Sequence, residues 1–205
     1  RLPFYGLAVL CIDDAEVAAL AVDMPRHVIT YGFAAHADVR AEDVEQAGPA
    51  MRFTLCLPDG SRTPATLALP GRHNVQNALA AATIGWQLGV APETIARALE
   101  KFAGIGRRFN LLAEITTAQG AKVQLVDDYG HHPKELEAVF EAARGGWPDR
   151  RLVVAFQPHR YSRTRDLFDR KLRVAEVSHH MLLDALAQRL ALCGRRAAPG
   201  KVEQR

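Results

Sequence analysis

Apolar residues fall in short runs along this chain, and the spacing within each run predicts the element it forms. Residues 7–12 (LAVLCI) and 28–31 (VITY) are continuous apolar runs of strand type. Between them, DDAEVAALAVDM begins with Asp residues fit to cap a helix and sets Val17 and Leu20 on one helical face. Strand, helix, strand in that order predicts a parallel αβ unit. Residues 51–57 (MRFTLCL) alternate strictly, with Met51, Phe53, Leu55 and Leu57 on one face. PDG at 58–60 is a turn signal, and a second alternating run ends in Leu67 and Leu69. The two runs predict a β-hairpin at the rim of a domain.

After Pro70 and Gly71, HNVQNALAAATIGWQLG places Val75, Leu79, Ala82 and Trp86 at helical spacing, with Gly89 to end the helix. Pro92 opens a second helix, with Ile95, Leu99 and Phe102 on one face. GIGRRF (104–109) is glycine-rich and aperiodic, which predicts a linker. Beyond it, KVQLVDDYGHHPKELEAVFEAAR reads as strand, loop and helix. Pro133 starts that helix, and Leu136, Val139, Phe140 and Ala143 form its apolar stripe. LVVAF (152–156) predicts another strand, followed by the polar loop QPHRYSRTRD. No internal repeat or low-complexity tract interrupts the pattern.

Composition narrows the class. With 205 residues, 48% hydrophobic and 24% charged, the chain is globular and has room for one or two domains. A formal net charge of +3 exerts no bulk pull toward nucleic acid or membrane. Cys11, Cys56 and Cys193 are odd in number and lack metal-type spacing, which argues against a disulfide framework and fits a reducing, cytoplasmic location. No apolar run approaches the roughly 20 residues of a membrane span. The chain opens on Arg1 without an initiator Met or a signal sequence, so it is expected to begin inside a longer protein.

The candidate chemistry stands at two strand ends. Residues 125–126 lead into Asp127, Asp128, Tyr129, His131 and His132; residues 153–156 lead into Gln157, His159, Arg160 and Arg163. The helix between them predicts parallel strands with a right-handed crossover, and so both loops at one carboxyl edge, where α/β sheets bind ligands. Carboxylates, imidazoles and guanidiniums together suit an anionic substrate and phosphoryl or acyl-phosphate chemistry. Blander readings compete. The Asp127–Asp128 pair could be a turn or cap signal. Asn74 could simply cap a helix. HRYSRTR could contact RNA, although Asp127, Asp128, Asp166 and Asp169 would repel phosphates. His131 and His132 lack a third ligand at metal spacing, so no metal site is expected among these residues.

Four segments in order, HNVQN (73–77), GIGRRF (104–109), DDYGHHP (127–133) and FQPHRYSRTRDLF (156–168), resemble the Mur ligase family. LPFYGLAVLCIDD at the start is similar to that family's central domain, and the last two loops match its alanine-adding members in particular. The resemblance runs from about Leu2 to Asp169. It implies an α/β fold: the end of a central ATPase-type domain (1–103), a linker (104–109) and a Rossmann-like parallel-sheet C-terminal domain (110–205, with 170–205 atypical). It implies ATP and Mg²⁺ as cofactors, and UDP-N-acetylmuramate and L-alanine as substrates. By the same resemblance Asn74 and Asn77 would face adenine, with His73 preceding them at the cofactor site, Arg108 would reach the phosphates and Asp128 the ribose. Tyr129, His131, His159, Arg160 and Arg163 would meet the other substrates, with His131, Arg160 and Arg163 catalytic. The family's phosphate loop and Mg²⁺ ligands are expected upstream of Arg1. After Asp169 the sequence leaves the family pattern, and 170–192 is expected to be helical or disordered. A catalytically dead nucleotide-binding module and a tripeptide-adding ligase are the rival readings.

Overall fold

The computed structural model describes residues 3–155. The chain divides into two compact units, one of residues 1–130 and 134–150 and one of residues 131–133 and 151–205. The first unit is built on a five-stranded sheet in sequential order: β1 (Leu7–Cys11), β2 (His27–Gly32), β3 (Val39–Ala47), β4 (Ala50–Cys56) and β5 (Arg62–Leu67). β1, β2 and β3 run parallel, and β3, β4 and β5 form an antiparallel meander. The expected parallel unit and the expected hairpin are therefore halves of one sheet. Helix α1 (Ala15–Asp23) makes the crossover from β1 to β2, and Asp14 caps it by accepting from the backbone N–H of Glu16 and Val17.

The core lies between the sheet and helices α2 (Arg72–Gln87) and α3 (Pro92–Lys101). The alternating face of β4 supplies Met51, Phe53 and Leu55, continued by Leu57; α2 supplies Val75, Leu79 and Ala82; α3 supplies Ile95 and Leu99. Removing this apolar surface from water is the main stabilising term, about 25 cal/mol per Å². Two expected face positions stand elsewhere. Leu20 is 60% exposed, because α1 buries no residue, and Phe102 is the half-exposed C-terminal cap of α3.

Beyond the linker, β6 (Asn110–Thr116) and β7 (Lys122–Asp127) pair antiparallel as a second sheet, followed by helix α4 (Pro133–Gly146). The described partner of β7 is the antiparallel hairpin strand β6, while the parallel partner expected in the run ending at Phe156 reaches past the described residues. Within the LVVAF run, Val154 makes an isolated bridge and Phe156 lies outside the described residues. In the first unit α4 is tied to the meander by Gln46, whose amide donates to Ala142 O at 2.8 Å and to Gly48 O at 3.2 Å. Among the described residues, no helix is long and apolar enough to cross a membrane.

Candidate functional site

The start of α2 carries the first group of candidate residues. Gly71, at φ 97°, opens the helix without a side-chain cap, so Asn74 falls inside the first turn instead of at its edge. The cap reading of Asn74 is thereby corrected. Asn74 is buried, and its side-chain amide donates to Pro70 O at 2.8 Å, leaving its oxygen as an acceptor. Helical spacing sets exposed Asn77 and half-buried His73 on the same side of α2. Burial pushes the His73 imidazole below its ordinary pKa, with Arg108 acting the same way, while the charges of Asp128 and Glu141 oppose the shift. His73 therefore favours its neutral form.

The linker and the loop after β7 face this helix end. Asp128 is half-buried and accepts from Phe109 N at 2.8 Å and from Gly130 N at 2.6 Å. Tyr129 N donates to Arg107 O at 2.8 Å. Arg107 Nε stands 3.5 Å from Asp127 Oδ2, and its guanidinium lies 5.0 Å from the Tyr129 ring centroid. Arg107 (φ 63°) and Phe109 (φ 45°) are both left-handed, on either side of exposed Arg108. His73, Asn74, Arg108, Asp128, Tyr129 and Gly130 line one cleft, closed by Glu135, Ala138 and Val139 of α4. A larger cavity of ≈ 250 Å³ with a mixed polar and apolar lining lies between Leu69, Pro70, Ile105, Asn110 and Trp147. Arg108 and Phe109 line both spaces, so the linker is their common wall.

The structure thus gathers His73, Asn74, Arg108, Asp128 and Tyr129, with Asn77 one helical turn along. His131 is half-buried and belongs to the second unit. His159, Arg160 and Arg163 lie outside the described residues, as do the expected convergence of His159 with Asp128 and the expected helix or disorder of 170–192. A further polar cluster went unnoticed in the sequence. Asp13 accepts from Phe33 N at 2.9 Å, Ala34 N at 3.1 Å and Gln76 Nε2 at 2.7 Å, tying the β1 and β2 ends to α2. A Cβ on Gly32 would stand 2.5 Å from its carboxylate. The pair Asp13–Asp14 read only as a cap, and its long-range partners leave no mark on local spacing.

This donor set fits an adenine nucleotide. The Asn74 oxygen can accept from an exocyclic amino group, and the exposed Asn77 amide can donate to a ring nitrogen. Asp128 keeps lone pairs beyond its two backbone bonds for ribose hydroxyls, and exposed Arg108 offers a fork for phosphate. Among the described residues, no group of three or more His, Cys, Asp or Glu stands together.

Comparisons with known proteins place the chain among related sequences and folds. Residues 1–85 match the family model described as the Mur ligase middle domain, and residues 107–201 match that described as the Mur ligase glutamate ligase domain. Over 169 residues the chain is 80% identical to UDP-N-acetylmuramate–L-alanine ligase of Xanthomonas campestris pv. campestris (strain B100), covering 82% of this chain and 35% of that protein. The corresponding ligase of Xanthomonas oryzae pv. oryzae (strain PXO99A) is 79% identical over the same coverage. The chain therefore spans about a third of the length of these curated relatives. Among solved structures, UDP-N-acetylmuramate-alanine ligase MurC from Thermotoga maritima superposes with a TM-score of 0.57 at 27% identity, over 68% of this chain and 31% of that one. A pseudomurein peptide ligase type C from Methanothermus fervidus shares the fold, with a TM-score of 0.63 at 20% identity over 79% of this chain and 39% of that one.

Proposed function

Because the chain belongs to the Mur ligase family, we propose that it serves the ATP-dependent ligation of L-alanine to UDP-N-acetylmuramate in the cytoplasm, a step of peptidoglycan precursor synthesis. The observation that carries the reading is the cleft in which the start of α2, the linker arginine and the Asp128 loop meet. In this reading Asn74 and Asn77 recognise adenine, with His73 beside them; Asp128 meets the ribose and Arg108 the phosphates. Tyr129, His131, His159, Arg160 and Arg163 bind alanine and the muramyl carboxylate, with His131, Arg160 and Arg163 closest to the reacting atoms. The division at the linker, residues 104–109, separates the nucleotide-facing asparagines from the amino-acid-facing loops.

The chemistry would run in two steps. A carboxylate oxygen of the sugar acid attacks the γ-phosphorus and ADP leaves. The alanine amine then attacks the acyl carbon, phosphate leaves, and the amine gives up a proton. Arginines in this region would stabilise the negative charge that moves onto the phosphate oxygens. Mg²⁺, when bound by other residues, would supply further charge neutralisation.

The test is binding by the 205-residue chain. ATP should bind more tightly than GTP, because the Asn74 oxygen favours an amino group over a carbonyl at that position. Asn74→Ala should weaken ATP at least tenfold, and equal affinities for ATP and GTP would refute the adenine assignment. With ATP, Mg²⁺, UDP-N-acetylmuramate and L-alanine, this chain alone should release no phosphate above background, since positioning and charge neutralisation dominate phosphoryl transfer and the chain spans about a third of the length of its curated relatives. In a full-length parent, Arg160→Ala and Arg163→Ala should each cut turnover more than tenfold, since leaving a carboxylate without its guanidinium costs about 1.5–3 kcal/mol.

A further inference from the structure

We propose that Asp128 is a positioning residue whose carboxylate pins the linker to the loop after β7 and thereby sets where Arg108 stands. A residue kept for a ribose alone would present a free carboxylate. Here each oxygen is already engaged by backbone, Oδ2 by Phe109 N at 2.8 Å and Oδ1 by Gly130 N at 2.6 Å. The first of these bonds belongs to the residue immediately after Arg108, 19 positions before Asp128. The residue immediately before Arg108 is held as well: Arg107 O accepts from Tyr129 N, Arg107 Nε faces Asp127, and the Arg107 guanidinium covers the Tyr129 ring. The linker and the loop are therefore fastened on both sides of Arg108.

Backbone conformation gives the fastening a purpose. Arg107 and Phe109 both occupy the left-handed region, at φ 63° and 45°, which residues with a Cβ adopt at a cost. A linker that passes through this region twice in three residues relaxes unless something holds it. Asp128 is placed to do so, and a carboxylate is suited because it accepts at both oxygens. An amide cannot: whichever way an Asn side chain turns, one of the two backbone N–H groups meets a donor. Gly130 belongs to the same device, since a Cβ there would stand 2.8 Å from Asp128 Oδ1.

The consequence for nucleotide rests on the ligase reading above; the pin itself does not. Limited tryptic digestion of the full chain reads the pin directly, because the bonds after Arg107 and Arg108 are cut only when the linker opens. Asp128→Asn should speed cleavage at these two bonds at least tenfold, while cleavage after Arg52 in β4 and Arg97 in α3 keeps its original rate. Gly130→Ala, which displaces the carboxylate and preserves its charge, should do the same. Amide exchange at Phe109 should accelerate in both variants. Asp128→Asn should also weaken ATP by a larger factor than adenosine, because only ATP uses Arg108. Unchanged linker cleavage in both variants overturns the pin, as does uniform acceleration at every arginine. An equal loss for ATP and adenosine reduces Asp128 to a ribose contact and also overturns it. Failure of the unsubstituted chain to bind ATP would defeat the nucleotide reading and leave the cleavage result to decide the pin.

Discussion

His73 links the ionisation of one side chain to the stability of the fold. Burial holds its folded pKa below the ordinary value of 6.5, so the unfolded chain binds a proton more readily than the folded one. The stabilisation it contributes is present above pH 6.5 and is lost as pH falls through the folded value. Urea denaturation at pH 7 and pH 5 should show a drop that His73→Gln reduces; an undiminished drop would place the titrating group elsewhere. Gly71 is as specific a requirement. At φ 97°, with a would-be Cβ 2.8 Å from Ala142 Cβ and from the His73 ring, Gly71→Ala should cost about 1–3 kcal/mol in denaturant unfolding. The sequence made His73 visible within HNVQN and Gly71 visible two residues before it, but not the burial of the one or the backbone conformation of the other. Asn74 shows why. Its type and position suit a cap, yet Gly71 starts the helix three residues earlier, and burial turns the side chain to Pro70 O. Backbone φ is set by packing against α4, which local spacing does not encode.

At the scale of elements, legibility followed regularity. β4 and α2 kept strict periods of 2 and 3.6, and their apolar positions are the core. β3 was missed because its pattern breaks: Val39 and Ala41 alternate inward, but a register shift between Glu42 and Glu45, with Asp43 at φ 52°, reverses the faces midway. β6 was missed because Leu111, Leu112 and Ile115 are all at least half exposed, so no buried face imposed an alternation. Leu55→Ala should therefore destabilise by about 2–5 kcal/mol, since Leu55 is fully buried in β4, whereas Leu20→Ala on α1 should stay within about 0.5 kcal/mol. Parallel denaturation curves of the two variants check this contrast. Across the meander, Arg62 and Arg40 hold Glu42 down to about 2. That contribution is present above the ordinary carboxyl value and disappears as pH falls through about 2, so Glu42→Gln should flatten the acid-unfolding curve in that range.

At the scale of the molecule, the parallel β1–α1–β2 unit was legible, and the family followed from four motifs spread along the chain. What stayed hidden was how the linker is fastened, because Phe109 and Asp128 meet through backbone atoms that carry no sequence signature. The split character of the five-stranded sheet bears on how the chain acquires its structure in time. β3, β4 and β5 join neighbours through short turns, whereas β1 must wait for a helix to cross before it meets β2. Closing short loops loses less chain entropy, so the meander should nucleate and the parallel strands should add to its open side. Pulse-labelled refolding should find the amides of Phe53 and Leu55 protected before those of Ala8 and Val9. Among these five strands β1 leaves the ribosome ahead of β3 to β5, so during synthesis the order in which the strands appear runs against the order in which they should gain stable pairing.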